Sequence, residues 1–116
     1  IEAQTLGLEH MTGIGLRKSL EFLIKDYLIR NSPGKELEIK NKFLGKCIKE
    51  DLDNPDIQNM AERAAWLGND QTHYTQKWEQ RDIKDLKILI DLTTHWIEME
   101  MLTEKYETDM TKAGES

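Results

Sequence analysis

Apolar residues recur along this chain at steps of three and four, and there is no stretch of period-two alternation worth reading as a strand. That is the period of an amphipathic helix, and it marks four segments. In the first, from about Glu2 to Arg30, Leu6, Ile14, Leu20, Leu23, Ile24, Tyr27 and Leu28 fall mostly on one face. Gly7, Gly13 and Gly15 lie inside it. Each costs about 1 kcal/mol against Ala in a helix interior, which predicts either a break near Gly13 or the close approach of another backbone. "RNSPGKE" ends the segment, with Pro33 and Gly34 making the turn.

The second segment spans about Glu36 to Asp51, with Leu37, Phe43, Leu44, Cys47 and Ile48 inward. In the following "DLDNPD", Asn54 is placed to cap a third helix and Pro55 suits its first turn. That helix carries Ile57, Met60, Ala61, Ala64 and Leu67 inward, and Gly68 is its expected C-terminal cap. The fourth runs from near Arg81 to about Asp109, with Ile83, Leu86, Ile90, Thr93, Ile97 and Met101 inward. "TKAGES" reads as a frayed tail, about 110–116. Short connections between long helices favour antiparallel neighbours. The pattern therefore predicts an all-α fold, an antiparallel bundle of four to five helices in one domain over 1–116. The chain opens on Ile1 and the periodicity begins almost at once, so it is expected to be a fragment of a longer protein.

Composition narrows the function classes. Acidic residues outnumber basic ones and the net charge is −6. Phosphate contacts supply most non-specific nucleic-acid affinity, so a large nucleic-acid footprint is disfavoured and only a small basic patch is left open. Cys47 is alone, which excludes an intrachain disulfide and a cysteine zinc cluster; a small buried hydrophobe is the common role for such a thiol. No apolar run approaches the roughly 18 residues of a membrane span, and no signal-peptide pattern opens the chain. No membrane partner and a cytoplasmic location are expected.

The polar chemistry concentrates in "WLGNDQTHYTQKW", Trp66 to Trp78, which joins the two most regular helices. His73 titrates near neutrality, and Asp70 lies one helical turn before it, so the pair is a candidate acid–base unit, with the carboxylate raising the basicity of the ring. The competing reading is that Asn69 and Asp70 cap a helix and His73 packs against Trp66 or Trp78. Trp66, Tyr74 and Trp78 can stack a flat ligand or close the end of a bundle. Arg17 and Glu21 stand one turn apart in the first helix. They form either a solvent-facing ion pair or a cation, oriented by its acid, that faces the His73 loop and binds an anion there. Lys77 and Arg81 flank the same loop.

"GIGLRKSLEFLIKDYLI", followed by "AAWLGNDQTHYTQKW" and "DIKDLKILIDLTTHWIEME", resembles the bacterial domain-of-unknown-function family 4145, a group placed with the HEPN helical domains. The resemblance covers about Ala3 to Met101, and its specific part is the Trp-Leu-Gly-Asn-Asp-x-x-His-Tyr string. It implies a HEPN-like all-α bundle, frequent homodimers, a bacterial host, and a place in defence and toxin–antitoxin systems. Active HEPN ribonucleases carry Arg, then four to six residues, then His, usually with Asn right after the Arg. Here Asn69 and His73 match, but the positions open to the Arg hold Trp66, Leu67 and Gly68. Arg63 lies ten residues before His73, outside the motif. Losing that cation removes the stabiliser of a phosphorane-like transition state.

Other motifs add little. Gly13-Ile14-Gly15 lacks the third glycine and the preceding strand of a phosphate loop. No histidine pair has zinc spacing, so no metal and no cofactor are expected. Glu98, Glu100, Glu104 and Glu107 read as a solvated face, and Met99 and Met101 as core filling or, less commonly, a partner groove. The chain thus reads as a non-catalytic, HEPN-like binding or assembly module of a larger bacterial protein. It is expected to bind a ligand or partner through Arg17, Glu21, Asn69, Asp70, His73, Tyr74 and Trp78. A homodimer, RNA or a nucleotide at a small patch, and other domains of the parent protein are the implied partners. The alternative is a divergent ribonuclease or nucleotide-handling enzyme using His73 and Asp70.

Overall fold

The computed structural model describes residues 2–69 and 80–110, with side chains described over 11–69 and 82–110. All of the regular structure in these residues is helical: α1 (Glu2–Asn31), a single 3-10 turn (Pro33–Lys35), α2 (Glu36–Asn41), α3 (Leu44–Glu50), α4 (Pro55–Leu67) and α5 (Gln80–Asp109). The predicted all-α class, the Pro33 turn, the Asn54 cap and the α4 and α5 boundaries agree with the sequence pattern. Asn54 Oδ1 accepts from the backbone N–H of Asp56 at 2.9 Å and of Ile57 at 3.3 Å, two donors that a helix start leaves orphaned.

The expected second helix is two. Leu44 and Ile48 lie roughly 140° and 180° around a straight helix from Ile39, yet all three are buried. An interruption re-aims them: Lys42 and Phe43 are extended, with ψ near 144° and 145°. Lys42 then ties the two pieces together, its Nζ 2.9 Å from Asp51 and 3.8 Å from Glu38. The hydrogen bond to Asp51 holds its pKa above the ordinary lysine value. The same change of direction turns out Leu37 and Phe43, 77% and 86% exposed, which a single helix had assigned inward. Ile14 and Met101, also expected inward, are exposed as well. Gly13 does not break α1, which is continuous through it.

The long helices alternate in direction. Asn54, at the start of α4, meets Glu100 of α5, while Trp66 and Leu67 at its end share a groove with Ile88 and Leu89; α4 and α5 are antiparallel. Arg17 of α1 touches Gly68 beyond the end of α4, so α1 is antiparallel to α4 and parallel to α5. The core gathers Leu20, Ile24 and Leu28 of α1, Leu44, Cys47 and Ile48 of α3, Ile57, Ala61 and Ala64 of α4, and Leu86 and Ile97 of α5. Cys47 is fully buried and burial pushes its thiol pKa up, as suits a small core hydrophobe. Gln58 Nε2 donates to the Ile48 carbonyl at 3.0 Å and so satisfies the end of α3. The radius of gyration, 17.1 Å, exceeds the roughly 13 Å of a compact domain this long. The excess comes from two 30-residue helices that run past the core.

One junction fixes the register of all three long helices. The Tyr27 hydroxyl of α1 donates to Glu100 Oε2 of α5, and Asn54 Nδ2 at the head of α4 donates to Glu100 Oε1 at 3.3 Å. Glu100 is therefore not part of a solvated acidic face. Burial, and secondarily Glu104, hold its carboxyl above the usual carboxylate range.

Two outcomes follow for Glu100. Replacing it by Ala leaves the part-buried Tyr27 hydroxyl and Asn54 amide without their acceptor, and should cost about 1–3 kcal/mol in urea denaturation. A raised folded-state pKa means the folded chain takes up the proton first as pH falls, so this group's contribution to stability grows from neutral pH down toward 4.5, its ordinary value. Wild type should accordingly gain on Glu100→Gln between pH 7 and pH 5.

Candidate functional site

The end of α4 stops against α1. The backbone N–H of Gly68 closes on the Ala64 carbonyl at 2.9 Å and that of Asn69 on the Trp66 carbonyl at 3.2 Å. Gly68 has φ near −83°, so its need for glycine is not a left-handed conformation. It is space: a Cβ there would lie 3.3 Å from Arg17 Cβ and 3.3 Å from the Ala64 carbonyl oxygen. The glycine lets the stem of Arg17 lie across the end of the helix.

Arg17 is only partly exposed, and its Nε is buried with no hydrogen-bond partner among the described residues. Arg17 lines a hollow of about 280 Å³ between α1, α3 and α4, together with Leu44, Gly45, Ile48, Glu62, Ala65, Trp66 and Asn69. Leaving a guanidinium N–H buried and unmatched costs stability, and a group that supplied an acceptor would recover it. The expected ion pair of Arg17 with Glu21 is not formed. Glu21 lies 3.1 Å from Lys25 Nζ instead, and Lys25 also donates to the Lys40 carbonyl at 3.0 Å. Lys25 wins that acid because it can bond the end of α2 at the same time.

Trp66 stands on a ridge. It is 66% exposed and lines the Arg17 hollow on one side. On the other it lines a larger groove of about 800 Å³ between α4 and α5, with Asn59, Glu62, Arg63, Leu67, Asp85, Ile88 and Leu89. Glu62 also borders both. It precedes Trp66 by one turn, so their shared face was readable as an i, i+4 pair; the part of Leu44 and Gly45 was not, because it depends on the break before α3.

Of the residues expected to bind, the structure brings Arg17 and Asn69 to one hollow and sends Glu21 elsewhere. Asp70, His73, Tyr74 and Trp78 lie outside the described residues, as do Lys77 and the side chain of Arg81. His95 is exposed on α5, edge-on to Trp96 with ring centroids 6.1 Å apart, and lines neither hollow. Among the described residues no group of three or more His, Cys, Asp or Glu side chains comes together as a metal site would need, and no helix is long and apolar enough to cross a membrane. The Arg17 hollow offers a cation, a flat indole face, an amide and one carboxylate, a set suited to holding an anion that carries a ring.

Substitutions separate space from charge here. Gly68→Ala should lose about 1 kcal/mol in thermal unfolding, because the Arg17 Cβ it meets is fixed to a packed helix and cannot withdraw. Arg17→Met keeps the stem over Gly68 and removes the unmatched N–H, so its melting temperature should equal or exceed that of wild type, the usual signature of a residue kept for binding.

No known protein-family model matches the chain, and neither a curated protein nor a solved structure is similar to it.

Proposed function

We propose that the chain is a non-catalytic binding module of HEPN-like type, within a larger bacterial cytoplasmic protein, and that it takes a small anion bearing a flat ring, a nucleotide in chemical class. The observation that supports this is Arg17, held over Gly68 with a buried, unmatched Nε beside the exposed ring of Trp66. Guanidinium groups bind phosphate through paired N–H donors, and tryptophan stacks bases. Glu62 in the same hollow repels the phosphate and accepts from hydroxyl or amino groups, which orients a ligand with its anion toward Arg17. The net charge of −6 disfavours a long nucleic acid but not a single nucleotide.

Catalysis is a poorer fit. The motif arginine is replaced before His73. Arg17 is anchored along α1 and the end of α4, a position that suits holding a ground-state anion. Titration calorimetry with adenosine monophosphate tests the reading. Saturable binding that falls at least tenfold in Arg17→Met, together with a short RNA left uncleaved, is expected. RNA cleavage abolished by His73→Ala would establish the ribonuclease reading instead, and binding indifferent to Arg17→Met would remove the site.

A further inference from the structure

The Arg17 hollow holds an acid as well as a cation, and the two are not joined. Arg17 and Glu62 both line it, yet no ion pair forms between them among the described residues. Glu21, Glu36, Glu38 and Glu50, by contrast, each have a lysine within 4.0 Å. Arg63, next to Glu62 in sequence, does not neutralise it either, because its guanidinium donates to the Asn59 carbonyl at 3.1 Å. Acid, ring and cation follow one another along α4 in a fixed order. Glu62 comes first, Trp66 stands one turn later on the same face, and the stem of Arg17 crosses the helix end at Gly68. The six residues from Glu62 to Gly68 rise roughly 9 Å along the axis. An α-amino acid carries its ammonium and carboxylate on one carbon and is too short to meet both charges. In a nucleotide the base edge, the flat ring and the 5′-phosphate come in this same order and at about this reach.

We propose, resting on the nucleotide reading of this hollow, that it selects guanine and that Glu62 is the residue that reads the base. The base lies on Trp66, its phosphate meets Arg17, and its Watson–Crick edge turns to Glu62. A carboxylate offers two adjacent acceptors and no donor. Guanine alone among the common bases sets two N–H donors side by side on that edge, at N1 and at the 2-amino group, so the pair is bidentate and charge-assisted. Adenine and cytosine each offer one amino group beside a ring-nitrogen lone pair, which the second carboxylate oxygen repels. Uracil offers a single N–H between two carbonyls. The reverse orientation is closed as well, since it would set the phosphate against Glu62. A site that fully encloses such a pair rejects the wrong partner by about 10⁴. Glu62 is exposed, so water replaces a lost bond and the discrimination is about tenfold. Adenosine monophosphate keeps the stack and the phosphate contact and binds more weakly.

Titration calorimetry of the 116-residue chain with guanosine, inosine and adenosine monophosphates tests it. The guanine nucleotide should bind about tenfold more tightly than the adenine one, and inosine monophosphate, which lacks the 2-amino group, should fall between them. Glu62→Gln should bring the ratio of guanine to adenine affinity down to about one, because an amide can accept from the adenine amino group and donate to its N1. The side chain is exposed, so this variant should melt with wild type. Arg17→Met should weaken both nucleotides alike and leave the ratio unchanged. Binding that depends on Arg17 but shows no preference for guanine would overturn the selection and leave the nucleotide reading standing. A preference untouched by Glu62→Gln would also overturn it, and a chain that binds none of the three would overturn both.

Discussion

The arrangement of the long helices hangs on one carboxylate. Glu100 accepts from Tyr27 of α1 and from Asn54 at the head of α4, and Asn54 spends its remaining oxygen capping that helix. Apolar packing among Leu20, Ile24, Ile57, Ala61 and Leu86 supplies the bulk of the driving force, but such packing tolerates sliding. A hydrogen-bonded junction does not, because slippage strands a buried donor. With that end pinned, the other end of α4 arrives beside Arg17, and Gly68 allows the contact to close. The hollow is a consequence of the register set about 20 Å away.

Much of this frame was legible in the chain. Asn54-Pro55 announced a helix start through local chemistry alone, and the three-four steps from Ile83 to Ile97 announced α5. The split at Lys42 and Phe43 was not legible, because Leu37, Phe43, Leu44, Cys47 and Ile48 make a plausible stripe by themselves. Only the demand that Ile39 be buried on the same core rejects it, and that demand is tertiary. Glu100 was hidden for the same reason: in a run of acids nothing local distinguishes the one that meets Tyr27.

The candidate site was legible in part. A cation from the first helix near the end of the third was expected, and Arg17 and Asn69 do line one hollow. The partner assigned to Arg17 was mistaken, since i, i+4 spacing made Glu21 available but could not show Lys25 reaching it while also bonding the Lys40 carbonyl. The exposed apolar residues of α5, Ile88, Leu92 and Leu102 among them, were hidden behind the inward ones, because both sets share the period of the helix and only burial tells them apart.

The state of the Arg17 side chain tests the account most directly. Nitrogen-15 NMR resolves the Nε–H of individual arginines, and its exchange with water reads whether that proton is buried. The account predicts slow exchange for Arg17 without ligand and a shift of the same resonance, together with the Trp66 indole signal, when adenosine monophosphate is added. Exchange at the rate of an exposed arginine, with neither signal moving, would contradict it.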